Sequence, residues 1–362
     1  MNRCQIRLIN GSLWLLFLVP LATFSLRAIS IPDLQDVGHW LNGKQTKAIE
    51  DQYDDSFVLK NWSVNLWAAF SYSLLGEGQP GVVIGKDEWL LTREEYSWPK
   101  NAETHLEQAT QEIAQTFQRL RAQGLSVELI LLPTKTEIYA DKLIQPSPQQ
   151  MHNLYDHVLF LLAQKGVTAM DLRPMLLNSR RDGEAFLRTD THWTPLGADH
   201  TAKAIIQHAG WFEDNQLYQT ESEGYTEYRG DLLNYIPVAP HMTVFGPRPD
   251  NLAIATTKST QTIKSDDLFT EAKPISQALI GTSYSANKKW NFVGAIKQYT
   301  GRDLLDLAEE GKGPFVPMRQ WLQNDGDKQP GLQRVLWEIP VRYLIQDNRA
   351  VTVLSESLTN KG

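Results

Sequence analysis

Between residues 102 and 340 the apolar positions alternate between two rhythms, one helical and one strand-like. His105 to Gln123 sets Leu106, Ile113, Phe117 and Leu120 on one helical face, and Gly124 ends it. Ser126 to Pro133 (SVELILLP) then reads as a buried strand. The unit repeats: a helix over Met151 to Gln164 leads into a predicted strand over Val167 to Leu172. After residue 270 the rhythm resumes, with a strand at Ile275 to Gly281, a helix at Trp290 to Gln298, a short element at Asp303 to Leu307, a helix around Val316 to Gln323 and a last strand over Arg334 to Ile339. Runs this apolar, separated by helices, predict an α/β fold with a parallel sheet covered by helices.

Two stretches depart from the rhythm. Gly81 to Thr92 (GVVIGKDEWLLT) places two apolar runs around Gly-Lys-Asp, the pattern of a β-hairpin. Residues 218–270 lose periodicity and gather turn formers, among them Pro237, Pro240, Pro247 and Pro249, so they read as a β or irregular insertion, a lid over the domain. The expected organisation is therefore an N-terminal address over 1–30, a polar linker segment over 31–78, one domain over 79–350 and a tail over 351–362.

The address rests on charge as well as hydropathy. Arg3 and Arg7 precede an apolar stretch from Leu8 to Leu26, which as a helix would reach about 28 Å, close to the hydrocarbon thickness of a bilayer. The positive flank places that end in the cytoplasm and the chain after Arg27 outside it. A cleaved signal peptide, ending at Ala28-Ile29-Ser30, and a retained anchor both fit. Either way the expected location is the periplasm, tethered to the inner membrane if the segment is kept.

Composition narrows the partners. With 35 Lys and Arg against 42 Asp and Glu, a net charge of -7 and no basic run, the chain lacks the footprint of a nucleic-acid binder. At 42% hydrophobic and 21% charged it is an ordinary folded protein, neither collagen-like nor disordered. The single cysteine, Cys4, has no partner for an intramolecular disulfide. Eleven tryptophans supply flat faces that suit either a core or a sugar ring.

Candidate chemistry collects at predicted strand ends, where open α/β sheets hold ligands. In Leu279 to Ser285 (LIGTSYS) a strand runs into a small-residue turn and a helix, which would present the Ser283 hydroxyl beside backbone N–H groups, as a nucleophile with an oxyanion hole requires. The plain alternative is a turn with Ser285 or Asn287 capping the next helix. In Thr189 to Pro195 (TDTHWTP) an extended segment would turn Asp190 and His192 the same way, a carboxylate orienting an imidazole base, and Thr194-Pro195 would start a helix from Leu196 to His208. A metal site is the alternative there, with Asp199 and His200 nearby, but their spacing is not that of a helical His pair. Lys135 and Tyr139 come after the SVELILLP strand as candidate substrate contacts. Trp193 and Tyr284, next in sequence to His192 and Ser283, and Arg302 are counted with them.

At these residues the sequence resembles the alginate O-acetyltransferase family of the AlgJ and AlgX type, which carries an SGNH-hydrolase-like domain. The likeness lies in TDTHW (Thr189 to Trp193), GTSYSAN (Gly281 to Asn287) with Trp290-Asn291-Phe292, GVVIGKDEWL, Gly230-Asp231-Leu232-Leu233, EEGKGPFVPM (Glu309 to Met318) and WEIPVRYL (Trp337 to Leu344), spanning about 80 to 345. The resemblance implies a parallel sheet flanked by helices whose serine block lies C-terminal to the Asp-His block. It implies Ser283 as nucleophile, His192 as base and Asp190 as orienting carboxylate. It also implies an exported polysaccharide as acceptor, no cofactor or metal, and a membrane-bound acyltransferase partner that supplies acetyl. Little chain remains after Leu344, which is expected of members without a C-terminal carbohydrate-binding module. A polyuronate acceptor would call for a locally basic groove, for which Lys135, Lys288, Lys289, Lys297 and Arg302 are candidates. An esterase using water with the same residues, and a non-catalytic polysaccharide-binding or secretion component, are the other readings.

Overall fold

The computed structural model describes residues 19, 22–28, 44–57, 59–213, 215–260 and 274–347. Two compact units divide the chain, one of residues 1–76 with 236–246 and one of 77–235 with 247–362. In the first, helices α1 (Lys44–Ser56) and α2 (Lys60–Phe70) occupy much of the stretch expected as linker. The leader lies mostly outside the described residues, and no described helix is long and apolar enough to cross a membrane. The tail over 351–362 also lies outside them.

The second unit opens on the hairpin foreseen at GVVIGKDEWLLT: β1 (Val82–Ile84) pairs antiparallel with β2 (Leu90–Thr92). Helix α3 (Ala102–Ala122) buries Leu106, Ile113, Phe117 and Leu120, and leads into β3 (Ser126–Leu132). Then come the single turn α4 (Lys135–Ile138), helix α5 (Gln149–Gln164), helix α6 (Arg173–Ser179) and helix α7 (Pro195–His208). Residues 167–172, expected as a strand, are irregular. Val167 and Leu172 are buried there, but Tyr155 donates its hydroxyl to Leu131 O and accepts from Leu172 N, so side chain and core take the place of a ladder.

The insertion forms a long antiparallel pair, β4 (Tyr218–Tyr228) with β5 (Asp250–Ser259). Beyond it come β6 (Gln277–Ile280), the single turn α8 (Ser283–Ala286), helix α9 (Phe292–Thr300), the short β7 (Leu305–Asp306), helix α10 (Phe315–Gln323) and β8 (Arg334–Pro340). The central sheet is parallel throughout, in the order β3-β8-β6-β7.

Alternation along these strands sorts the core into two layers. Leu129, Leu131, Ala278, Ile280, Val335, Trp337 and Ile339 pack with residues of α3, α5 and α10. Ile130, Leu132, Leu279 and Leu336 pack with residues of α6, α7 and α9. Each buried aliphatic side chain contributes roughly 1.5–3 kcal/mol. Both faces are covered, so the exposed polar feature of this sheet is its carboxyl end, where β6 delivers the chain into the serine turn.

Candidate active site

The serine turn forms because Thr282 is extended (φ -105°, ψ -165°) and caps the next turn, its Oγ1 accepting from Tyr284 N at 3.3 Å. Ser283 is then the first residue of α8, partly open to solvent. Trp290 Nε1 donates to Ser283 O at 3.2 Å and pins the turn from the segment after it. Asn287 caps only the short turn 288–290, through Lys289 N at 3.1 Å, while Asn291 stands at the N-cap of α9 and Ser285 is turned inward to Glu338, so neither residue of the plain reading caps the next helix.

His192 and Asp190 arrive differently from the extended segment the sequence suggested. Residues 188–192 are a run of bends between Phe186 and Trp193, which form a single antiparallel bridge; Leu187 N donates to His192 O at 3.0 Å. Within this bend Asp190 Oδ1 accepts both His192 N, at 2.9 Å, and His192 Nδ1, at 2.6 Å. An Asx-type turn therefore brings carboxylate and imidazole together, where strand alternation does not. No strand precedes the loop. Gly230 packs so close beneath it that a Cβ there would lie 2.1 Å from Thr189 O, which only glycine permits.

The three side chains named from the sequence meet. Ser283 Oγ lies 2.7 Å from His192 Nε2. Because an ionised Asp190 can only accept, Nδ1 carries the imidazole proton and Nε2 is left as the acceptor facing the serine hydroxyl. The second Asp190 oxygen, Oδ2, accepts from Tyr228 O–H and from Asp231 N, each at 2.9 Å. Burial pushes the Asp190 carboxyl up, but His192, its charge and the amides of Asp231 and His192 outweigh it and hold the group below the ordinary carboxylate range. Asp231 goes the other way, raised first by burial and then by the charge of Asp190; 41% of its side chain is open to solvent, which limits the effect. The His192 ring stacks on Trp290 at 5.5 Å and leans on Tyr284 at 4.7 Å.

The candidate substrate contacts are corrected by their burial. Lys135 is 1% exposed and donates Nζ to the carbonyls of Leu90, Asp190 and Arg188, at 2.6, 2.9 and 3.1 Å. Desolvation lowers its pKa to about 8, against the pull of Asp250, Glu95, Asp190 and Asp231. Tyr139 is fully buried, stacked on Trp89, and its oxygen accepts Ala185 N at 2.8 Å. Trp193 is buried and donates to Tyr284 O at 2.9 Å; Tyr284 is buried, donates to Thr191 O at 2.5 Å and accepts from Arg342 at 3.0 Å. These four build the site from behind and have no face toward a substrate. Arg302 pairs with Glu213 at 2.7 Å beside Ser276, which precedes β6, so it stands at the opposite end of that strand from Ser283.

Of the lysines considered for a basic groove, Lys288 and Lys289 are exposed next to the serine turn, Lys289 lying 4.8 Å from the Tyr228 ring. Lys297 is paired with Asp303 at 2.6 Å. Lys288 and Lys297 line a cleft of about 330 Å³ with Thr256, Thr257, Asn287 and Asn291 at the same end of the sheet. A larger hollow, about 540 Å³, lies at the far end of α3 beside Arg121 and Gly166, away from the serine.

Asp190, His192 and Asp231 lie close enough to hold a metal ion among the described residues. Their donor atoms are already engaged: Asp190 by the bonds given above, and Asp231 by Thr191 N at 2.8 Å and Thr191 Oγ1 at 2.5 Å. Asp199 accepts the Tyr299 hydroxyl at 2.9 Å and His200 faces Asp182 at 3.9 Å, so neither joins this group.

Sequence reasoning gave no site role to Tyr228, Asp231, Trp290 or Glu338, although the last three lie in stretches that carry the family likeness. Glu338 had a signal, a carboxylate inside an otherwise apolar strand. Tyr228 had none, since its role exists only once the insertion folds back.

A parallel sheet with a hydroxyl, an imidazole and a carboxylate converging at its carboxyl end is the architecture of an SGNH-hydrolase-like acyl-transfer domain. The family model described as "SGNH hydrolase-like domain, acetyltransferase AlgX" matches residues 82–341, and the chain belongs to that family. It is an O-acetyltransferase of this group. A probable alginate O-acetylase AlgJ of Pseudomonas syringae pv. tomato is 38% identical over 351 residues, covering 95% of this chain and 90% of that one. The Pseudomonas aeruginosa protein of the same name is 37% identical, covering 84% and 81%. The solved O-acetyltransferase domain of Pseudomonas putida AlgJ superposes with a TM-score of 0.66 at 33% identity, over 77% of this chain and all of that domain.

Proposed function

We propose that this protein acetylates hydroxyl groups of an exported polysaccharide, alginate, through a covalent acetyl-Ser283 intermediate, in the periplasm. The observation that carries the reading is the hydrogen-bonded line from Ser283 Oγ to His192 Nε2 at 2.7 Å and from His192 Nδ1 to Asp190 at 2.6 Å. In the first half-reaction His192 takes the serine proton as Oγ attacks the acetyl carbonyl, Asp190 stabilises the imidazolium, and His192 returns the proton to the departing group. In the second, a sugar hydroxyl gives its proton to His192 and attacks the acetyl-serine; collapse forms the sugar ester and restores the serine hydroxyl. The Ser283 amide, as the first of its helical turn, has no intrahelical acceptor and none among the described residues, whereas the Tyr284 N–H goes to Thr282 Oγ1 and those of Ser285 and Ala286 go to Thr282 O. It is the donor for the developing oxyanion.

The substrate is inferred from the relatives, which are named for alginate and are matched over most of their length. Exposed Lys288 and Lys289 suit an anionic polymer reaching the turn, although the chain is acidic overall. The acetyl donor is supplied by a membrane-bound acyltransferase partner, with no cofactor of the protein's own. The test is to incubate purified protein with p-nitrophenyl acetate and unacetylated alginate oligosaccharides, then map acetyl groups by mass spectrometry. Acetyl on the Ser283 peptide, absent in Ser283→Ala, and ester on the oligosaccharide are expected. Acetate release with no sugar ester would make the protein a hydrolase; an adduct that survives Ser283→Ala would move the nucleophile elsewhere.

A further inference from the structure

Glu338 is the one carboxylate in the sheet's interior among the described residues. It sits in β8 and is fully buried, with the register placing it opposite Ile130 of β3. No ion pair reaches it among the described residues. Every hydrogen bond its carboxylate accepts among the described residues comes from the serine turn: Thr282 N at 2.7 Å, Thr282 Oγ1 at 3.0 Å to both oxygens, and Ser285 Oγ at 3.1 Å. Gly281 leaves room for it, since a Cβ there would lie 2.6 Å from Glu338 Oε2. A buried carboxylate without a counter-ion is a poor way to fill space, and an apolar residue of similar volume would pack at lower cost. Burial accordingly pushes its carboxyl up to about 7, against the pull of the Thr282 and Ser285 donors and of His192.

We infer that Glu338 is a positioning residue for the nucleophile, holding Thr282 so that Ser283 Oγ is fixed on His192 and the Ser283 amide is left free. The logic is an allocation of donors. Glu338 takes the Thr282 N–H, which would otherwise compete with Ser283 N–H for an oxyanion. It also takes the Thr282 hydroxyl proton, which turns a lone pair of Oγ1 toward Tyr284 N and so starts α8 at Ser283. Ser285 Oγ anchors the far side of the same turn. A β8 side chain thus sets the orientation of a residue on the end of β6, its neighbour in the sheet.

This inference rests on the assignment of Ser283 as nucleophile, and its test separates the two. Burst kinetics with p-nitrophenyl acetate on the full chain give the acylation rate and KM; thermal melts give the folded fraction. For Glu338→Gln, which keeps the shape and still accepts from Thr282 N, the acylation rate should fall about 10-fold with KM unchanged. Glu338→Leu should fall about 100-fold, and Thr282→Val, which leaves the carboxylate in place, about 10-fold. In the Glu338→Gln/Thr282→Val double variant the losses should fall short of multiplying, since both disturb the Glu338–Thr282 Oγ1 contact, Thr282→Val removing the cap on Tyr284 N besides. Acylation at the wild-type rate in folded Glu338→Gln and Glu338→Leu overturns the inference, as do losses that track the folded fraction alone or that fall on KM. If neither Glu338 variant folds, Thr282→Val decides, and a wild-type rate there overturns it. Wild-type protein that gains no acetyl on Ser283 would instead bring down the nucleophile assignment and this inference with it.

Discussion

The two segments that meet at the site are built in opposite ways. The serine turn is held by its neighbours: β6 delivers it, Thr282 caps it, and Glu338 on the adjacent strand grips it. The Asp-His loop has no strand leading in, and its supports come from across the unit. Lys135 binds two of its carbonyls, Tyr139 binds Ala185 N, Asp250 binds the amides of Arg188 and Thr189, and Tyr228 and Asp231 bind Asp190. A segment on a strand end inherits its position from the sheet, whereas one between helices must have its backbone groups satisfied one by one. The second design is sensitive to single distant changes, and the first to changes in its immediate strand.

The largest effect should come from the point where both segments share a bond. Asp190→Asn keeps the side chain's shape and, with its amide oxygen left on Tyr228 and Asp231 N, offers His192 Nδ1 an amide donor in place of an acceptor at the cost of the His192 N bond, so the imidazole carries its proton on the wrong nitrogen. The rate of acetyl-enzyme formation should fall about 10⁴-fold with folding retained, as judged by burst kinetics and a melting curve. A loss of about ten-fold or less would mean that the carboxylate does not set the tautomer.

Next in size is a change that strikes one segment and spares the other. Lys135→Met removes the ammonium from three buried carbonyls, and stability should fall by about 2 kcal/mol, a drop in Tm on the order of 5 °C. The pH dependence has a definite sign. Burial holds Lys135 at about 8 in the folded state against 10.5 unfolded, with Asp250, Glu95, Asp190 and Asp231 opposing the shift. Between those values the unfolded chain binds more protons, so this lysine makes the wild type gain stability as pH rises through that window. Denaturation curves across it should show the gain in wild type and its absence in Lys135→Met. An unchanged Tm would mean that the loop does not depend on this clamp.

The same contrast explains what could be read from the chain. The helix over Ala102–Ala122 and the strands at Ser126–Leu132 and Arg334–Pro340 were legible because their burial follows period. Ser283, His192 and Asp190 were legible as residue types able to do acyl chemistry. The routes that bring Asp190 to His192 were not, because an Asx-type turn and an extended segment both put i and i+2 on one side. Lys135 was misread for a physical reason: at a loop start a lysine is ordinarily solvated, and three inward carbonyls contributed by Leu90, Arg188 and Asp190 have no sequence signature. The predicted strand over 167–172 failed because apolar burial alone does not distinguish a ladder from an irregular segment pinned by Tyr155.

The smallest effect tests whether the insertion merely covers the site or takes part in holding it. Tyr228→Phe keeps the ring against Trp290, at 5.7 Å, and removes only the hydroxyl that donates to Asp190 Oδ2. Asp231 N remains on the same oxygen, so the carboxylate is weakened in its anchoring without being stripped. The cost should be about 1 kcal/mol, read as roughly a five-fold slower acylation of Ser283 at unchanged KM. Tyr228 itself should stay protonated throughout, since burial first and the Asp190 charge second push its ionisation above the ordinary range. The rate ratio of wild type to Tyr228→Phe should therefore show no break from phenol titration in alkaline buffer. A variant as fast as wild type would leave the insertion as a cover; a variant slowed as severely as Asp190→Asn would place the hydroxyl, and not the carboxylate, at the centre of the histidine's orientation.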